Sequence, residues 1–158
     1  REAAVEDAAP LLRRALTGGD EALEARLGNA QASFAAGDTD AGLRQLRQAV
    51  AERPGYADVH ALLGAHELRA GHLDDGLASL VRALELNPDY HKARLELARG
   101  LEARGEREAA LVELELLLEV ESVQADAVGL HDQLTARRRA PAPAGGAPSN
   151  ALDPGRAQ

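Results

Sequence analysis

Of the chain's 158 residues, 34 are Ala and 26 are Leu; there is no Ile, Val and Thr together supply 11, and the only aromatics are Phe34, Tyr56 and Tyr90. Sheets draw on branched and aromatic side chains, so this composition predicts an all-α protein. Eighteen Lys and Arg against 26 Asp and Glu leave a net charge of −8, which together with so few rings for base stacking argues against nucleic acid as a partner.

The first expected element is a leading helix over residues 7–17, with Ala8, Leu12 and Ala15 on one stripe and Pro10 in its first turn. Thr17-Gly18-Gly19-Asp20 reads as a stop followed by the N-cap of the next helix. From there a period of 34 residues governs the chain. Gly37, Gly71 and Gly105 keep this step, as do Pro54 and Pro88, each opening a Pro-x-Tyr that ends at Tyr56 or Tyr90. Leu43, Leu77 and Leu111 follow it, and so do Leu46, Leu80 and Leu114. Asp40, Asp74 and Glu108 hold an acidic position, and Gly42, Gly76 and Ala110 a small one.

Each unit reads as two helices and a turn. Val59 to Ala70 has a helical pattern that glycine ends at Gly71, because the residue after a helix often adopts the left-handed conformation. A second helix spans His72 to Leu86, with Asp74 and Asp75 near its positive end and Leu77, Leu80, Val81 and Leu84 as its apolar stripe. Asn87-Pro88 stops it, since a residue before proline avoids the α region. Small residues at Gly64, Gly76 and Ala83 let the two helices approach closely. A single hairpin cannot bury its own stripe, so neighbouring hairpins must stack.

A last helix is expected over 124–139, with Val123, Ala127, Leu130 and Leu134 on its buried side and Asp126, Asp132 and Gln133 on its wet side, as a terminal cap requires. Residues 140–158 are rich in Pro, Ala and Gly, with Leu152 the only large apolar residue, and are expected to be disordered or extended. Arg1 opens the chain without a methionine, which points to a chain that is processed, truncated or cut from something longer.

Chemistry finds no foothold. His66-Glu67 starts like a zinc-binding H-E-x-x-H, but position 70 is Ala and His72 lies beyond Gly71. His60, His91 and His131 are scattered, and His60 is expected to pack between helices. The four serines have no His or carboxylate at a suggestive spacing, and no phosphate-cradling glycine loop occurs. Glu113, Glu115, Glu119 and Glu121 read as a solvated helix face. No catalytic residue, cofactor or metal site is expected. Zero cysteines exclude disulfides and thiolate chemistry and leave the compartment open. No apolar run approaches the roughly 18 residues that cross a bilayer, so direct membrane insertion is not expected.

These residues resemble the tetratricopeptide-repeat family. The best match runs from Ala57 to Tyr90, through Leu63-Gly64, Gly76, Leu80, Ala83 and Pro88, with His60 and Glu67 where the family prefers aromatics. The unit before it, 23–56, keeps Ala30, Gly42, Leu46, Ala49 and Pro54 but has Arg26, Asn29 and Ser33 at usually apolar positions. The unit after it, 91–124, keeps Leu97-Ala98, Leu101, Ala110 and Leu114, with Leu117 for the second Ala and Ser122 for Pro. The resemblance implies a right-handed α-solenoid over residues 1–139, of about three full repeats with a leading half repeat and a capping helix.

The resemblance also implies that the first helix of each repeat lines a concave groove. The expected lining is Leu27, Gln31 and Phe34 from the first full repeat, Asp58, Ala61, Ala65 and Arg69 from the second, and Lys92, Leu95 and Arg99 from the third. Arg69, Lys92 and Arg99 would then gather cations on an otherwise acidic molecule. They either meet an acidic group on an extended or helical peptide, or pair with Asp58, Glu96 and Glu102 within the array. The family's five-residue carboxylate clamp for chaperone tails would need Lys, Asn, Asn, Lys and Arg where this chain has Leu27, Gln31, Leu62, Lys92 and Glu96, so a chaperone-tail adaptor is not expected.

The expected function is a non-catalytic protein–protein interaction module, a scaffold or assembly factor whose partner is another protein. Two alternatives stay open: a repeat arm of a larger enzyme of glycosyltransferase or sulfotransferase type, and a structural subunit of an envelope or redox complex. Arg in place of Lys, and Ala, Leu and Gly in place of Ile and Met, point to a GC-rich bacterial genome, hence a bacterial cytoplasm or periplasm.

Overall fold

The computed structural model describes the backbone of residues 8–139 and the side chains of residues 21–136. The expectations for the 140–158 tail and for the stripe on Ala8, Leu12 and Ala15 lie outside these residues. The described residues form seven helices: α1 Ala8–Ala35, α2 Thr39–Glu52, α3 Ala57–Arg69, α4 Leu73–Leu86, α5 His91–Arg104, α6 Arg107–Glu115 and α7 Gln124–Arg139. Each packs on the next, and α3 also touches α5, so the chain winds as an all-α solenoid.

The 34-residue glycines do what their spacing implies. Gly37, Gly71 and Gly105 have φ of 81°, 84° and 89°. After each, the next amide turns back to a carbonyl of the finished helix: Asp38 to Ser33 at 2.9 Å, His72 to Glu67 at 2.9 Å and Glu106 to Leu101 at 2.8 Å. These bonds satisfy carbonyls that the last turn would leave bare. Asp38 then caps α2 by accepting the Ala41 amide at 2.9 Å. Asn87 is extended (φ −142°, ψ 92°) ahead of Pro88, and α4 ends there.

Two local expectations need correction. Thr17-Gly18-Gly19-Asp20 does not interrupt the chain, because α1 runs from Ala8 to Ala35 without a break. Glycine permits a left-handed turn without compelling it, and no proline follows to remove an amide, so the helix continues at about 1 kcal/mol per glycine. Glu119 and Glu121 lie in turns between α6 and α7 instead of on a helix face. There Leu117, Val120 and Val123 each donate to the carbonyl three residues earlier. A three-residue period turns Leu114, Leu117, Val120 and Val123 to one side, and all but the half-buried Val120 are fully covered. A regular helix would have exposed part of this run.

The core is alanine and leucine from facing helices, with Leu43, Leu46, Leu80 and Leu114 at 1% exposure or less. Arg26, Glu67 and His60 are polar residues at positions where the resemblance expects large apolar ones. The half-buried Arg26 guanidinium donates to both Glu52 oxygens, at 2.6 and 3.2 Å, and to Gln48 at 2.6 Å, tying α1 to α2. Glu67 is 2% exposed, and its carboxylate accepts from Arg47 Nη2 at 2.8 Å, Arg47 Nε at 3.1 Å and the Ser79 hydroxyl at 2.9 Å. One buried charge thus joins α2, α3 and α4. His60 is buried, as expected, with Nε2 donating to the Pro54 carbonyl at 3.0 Å.

Candidate partner-binding trough

On a helix, residues at i, i+4, i+7 and i+11 share a stripe. In α3 that stripe carries Asp58, Leu62, Ala65 and Arg69, and in α5 it carries Lys92, Glu96, Arg99 and Ala103. The two stripes border a pair of adjoining cavities. The first, of about 430 Å³, lies between the N-terminal halves of the helices, over a floor of Ala61, Ala65 and Ala93 with Tyr90, Asp58 and Lys92 at its edge. The second, of about 310 Å³, lies between their C-terminal halves, bounded by Leu68, Arg69, Arg99, Gly100 and Ala103. Glu96 borders both.

Of the residues expected to line a groove, Asp58, Ala61, Ala65 and Lys92 meet in the first cavity, and Arg69 and Arg99 in the second. Leu95 does not line it. It is 4% exposed and belongs to the buried cluster shared with Ala61 and Val123, because its side chain is long enough to reach between repeats. Leu27 is half-buried against two clusters that join the first hairpin to α3 through Leu63 and Val59, so it is largely packing. Gln31 is exposed. Phe34 stacks flat on His66, with centroids 3.7 Å apart and planes 7° from parallel, and a Cβ at Gly42 would collide with its ring. Register did not mark Tyr90 or Ala93, yet Tyr90 closes the Pro-x-Tyr at the 34-residue step, and that was the available signal.

The cations do not gather as one set. Arg99 pairs with Glu96 at 2.7 Å and lies 4.0 Å from Asp126. Lys92 stands in the first cavity with Asp58 and Glu96, so that station carries two carboxylates and one ammonium. Among the described residues neither Lys92 nor Arg69 has a hydrogen-bond or ion-pair partner. Tyr90 donates to Asp58, and burial first, then that carboxylate, push its phenol above the usual 10.0, so it remains a donor at neutral pH. Among the described residues no three His, Asp or Glu side chains converge, and no helix is long and apolar enough to cross a membrane.

Burial first, and then the Arg69 charge, hold His66 below its ordinary value of 6.5. The folded chain therefore binds this proton less readily than the unfolded chain. The resulting stability is present above 6.5 and is lost as pH falls through that value towards the lowered one. Melting temperatures taken from about pH 7.5 to about pH 5 should fall further in the parent chain than in His66→Gln, which removes the titration. Equal slopes would contradict the burial of His66 against Phe34.

Comparison with known proteins places this geometry. Residues 2–66 match the family model described as tetratricopeptide repeat. No curated protein matches the chain in sequence. Among solved structures, the TPR domain of Arabidopsis OM64 is similar with a TM-score of 0.69 at 15% identity, covering 75% of this chain and 98% of that one. The TPR2B domain of yeast Sti1, solved as a complex with pHsp70, reaches 0.68 at 18%, covering 73% and 98%. The Thermobaculum terrenum O-GlcNAc transferase reaches 0.65 at 22%, covering 73% of this chain and 22% of that one. The chain therefore has the tetratricopeptide-repeat fold, and residues 2–66 carry the sequence signature of that family.

Proposed function

We propose that the chain is a non-catalytic protein-interaction module that holds a segment of another protein along the trough between α3 and α5, and so serves as a scaffold or assembly factor. The observation that carries this reading is the pair of adjoining cavities with an alanine floor and an unpaired Arg69 at one end. A concave, mostly apolar site with a few polar groups at its edge is suited to binding. The complex of the Sti1 domain with pHsp70 supports it by analogy of fold.

The four chaperone-clamp positions that this chain fills with Leu27, Gln31, Leu62 and Glu96 argue for a different ligand. The likeness to part of the O-GlcNAc transferase favours a second reading, a repeat arm within a larger enzyme, and in both readings the trough is the working surface. Ala65→Trp fills the first cavity with an indole while leaving the hairpin stripes intact. Capture of a protein partner from cell extract should be lost in this variant with helicity retained. Undiminished capture would overturn the proposal.

A further inference from the structure

The two stations of the trough differ in charge and in shape, and the difference restricts what can lie there. In the first, the methyl floor of Ala61, Ala65 and Ala93 leaves open a space of about 430 Å³, ample for a leucine or phenylalanine side chain. Its charged edge is Asp58, Glu96 and Lys92, so an added carboxylate there would face two of its own sign. In the second, Arg99 is already engaged by Glu96, while Arg69 is exposed and free of any ion pair among the described residues. On a chain of net charge −8, this guanidinium is a directed anion receptor.

Along α3, the midpoint of the alanine floor and Arg69 are about six residues, or roughly 9 Å, apart. An extended chain covers that in about three residues. We infer that the trough selects an extended segment bearing a bulky apolar side chain and, about three residues away, a carboxylate: the first over Ala61, Ala65 and Ala93, the second on Arg69. This rests on the reading that the trough holds a partner segment. Ala65 and Arg69 then become its two specificity-determining residues.

A displayed library of randomised peptides, selected in parallel on the parent chain, Arg69→Glu and Ala65→Trp, tests this. The parent should enrich an apolar–acidic pair at a separation of three, in either chain direction. Arg69→Glu should keep the apolar position and exchange the acidic one for Lys or Arg, and should bind the parent's peptides about tenfold more weakly or worse. Ala65→Trp should lose the apolar position. If the parent enriches sequences with no acidic preference and Arg69→Glu selects the same set, the inference fails, and loss of those peptides in Ala65→Trp would still leave the trough as the binding surface. Enrichment indifferent to both substitutions, or no enrichment at all, would overturn the inference and the functional reading together.

Discussion

Gly64→Ala is expected to lower the melting temperature by about 4–8 °C, the equivalent of about 2 kcal/mol. The reason is the closeness of the α3–α4 crossing. A Cβ at Gly64 would stand 2.7 Å from the Gly76 carbonyl oxygen, 2.7 Å from Leu80 Cγ and 3.1 Å from the Leu80 amide. A flexible side chain could rotate out of the way; a backbone oxygen cannot, so the helices must separate. Overfilling a packed site costs about 1–3 kcal/mol, here the upper end because a backbone oxygen cannot move aside, and alanine returns about 1 kcal/mol through its better helix propensity, which leaves about 2 kcal/mol. Gly28→Ala is the control. A Cβ there meets nothing within 4 Å in the exposed middle of α1, so the same substitution should stabilise by about 0.5–1 kcal/mol. If both variants melt alike, the two helices do not cross at Gly64 and Gly76.

Glu67→Ala is the second large effect, about 2–3 kcal/mol by chemical denaturation. The substitution leaves a cavity and strands the half-buried Ser79 hydroxyl and the Arg47 guanidinium that the carboxylate holds. Arg47 is 46% exposed and lies 3.9 Å from Asp75, so water and that carboxylate recover part of the loss, which keeps the figure below that of a wholly buried pair. Glu67→Gln keeps the shape and loses the charge, and should cost about 1 kcal/mol. Combined with Arg47→Ala, the losses should be non-additive by about 1 kcal/mol or more. Additive losses would mean that the two side chains do not share a bond.

How much of this was legible in the sequence depends on whether the determinant is local. The glycines at 37, 71 and 105 and the prolines at 54 and 88 act on their own backbone, so their spacing translates directly into helix ends. Gly18 and Gly19 show the limit, since the same residue type sits inside α1 where nothing demands a turn. The turns after Leu114 arise from five apolar residues crowded into the stretch 114–120, a competition between burial and helical period that a repeat register does not express.

The candidate site divides in the same way. Register alone brings Asp58, Ala61, Ala65 and Lys92 to one place, because a repeat position fixes an angle around the helix axis. It does not fix side-chain size: Ala61 and Leu95 share a repeat position and a buried cluster, and of the two Ala61 borders the cavity. Glu67 was visible as a departure from an aromatic position, but its partners Arg47 and Ser79 lie 20 and 12 residues away, and only the packing of three helices brings them to it. The separation of Lys92 from Arg69 and Arg99 into two stations likewise depends on where along the paired helices each side chain falls.

Amide chemical shifts followed through a titration with an extended peptide that carries an apolar and an acidic residue three apart report whether the inner stripes of α3 and α5 form the working surface. Perturbations should concentrate at Asp58, Ala65, Arg69, Lys92, Glu96 and Arg99. Perturbations confined instead to the exposed Val81, Val112 and Leu116, which lie outside α3 and α5, would rule that surface out.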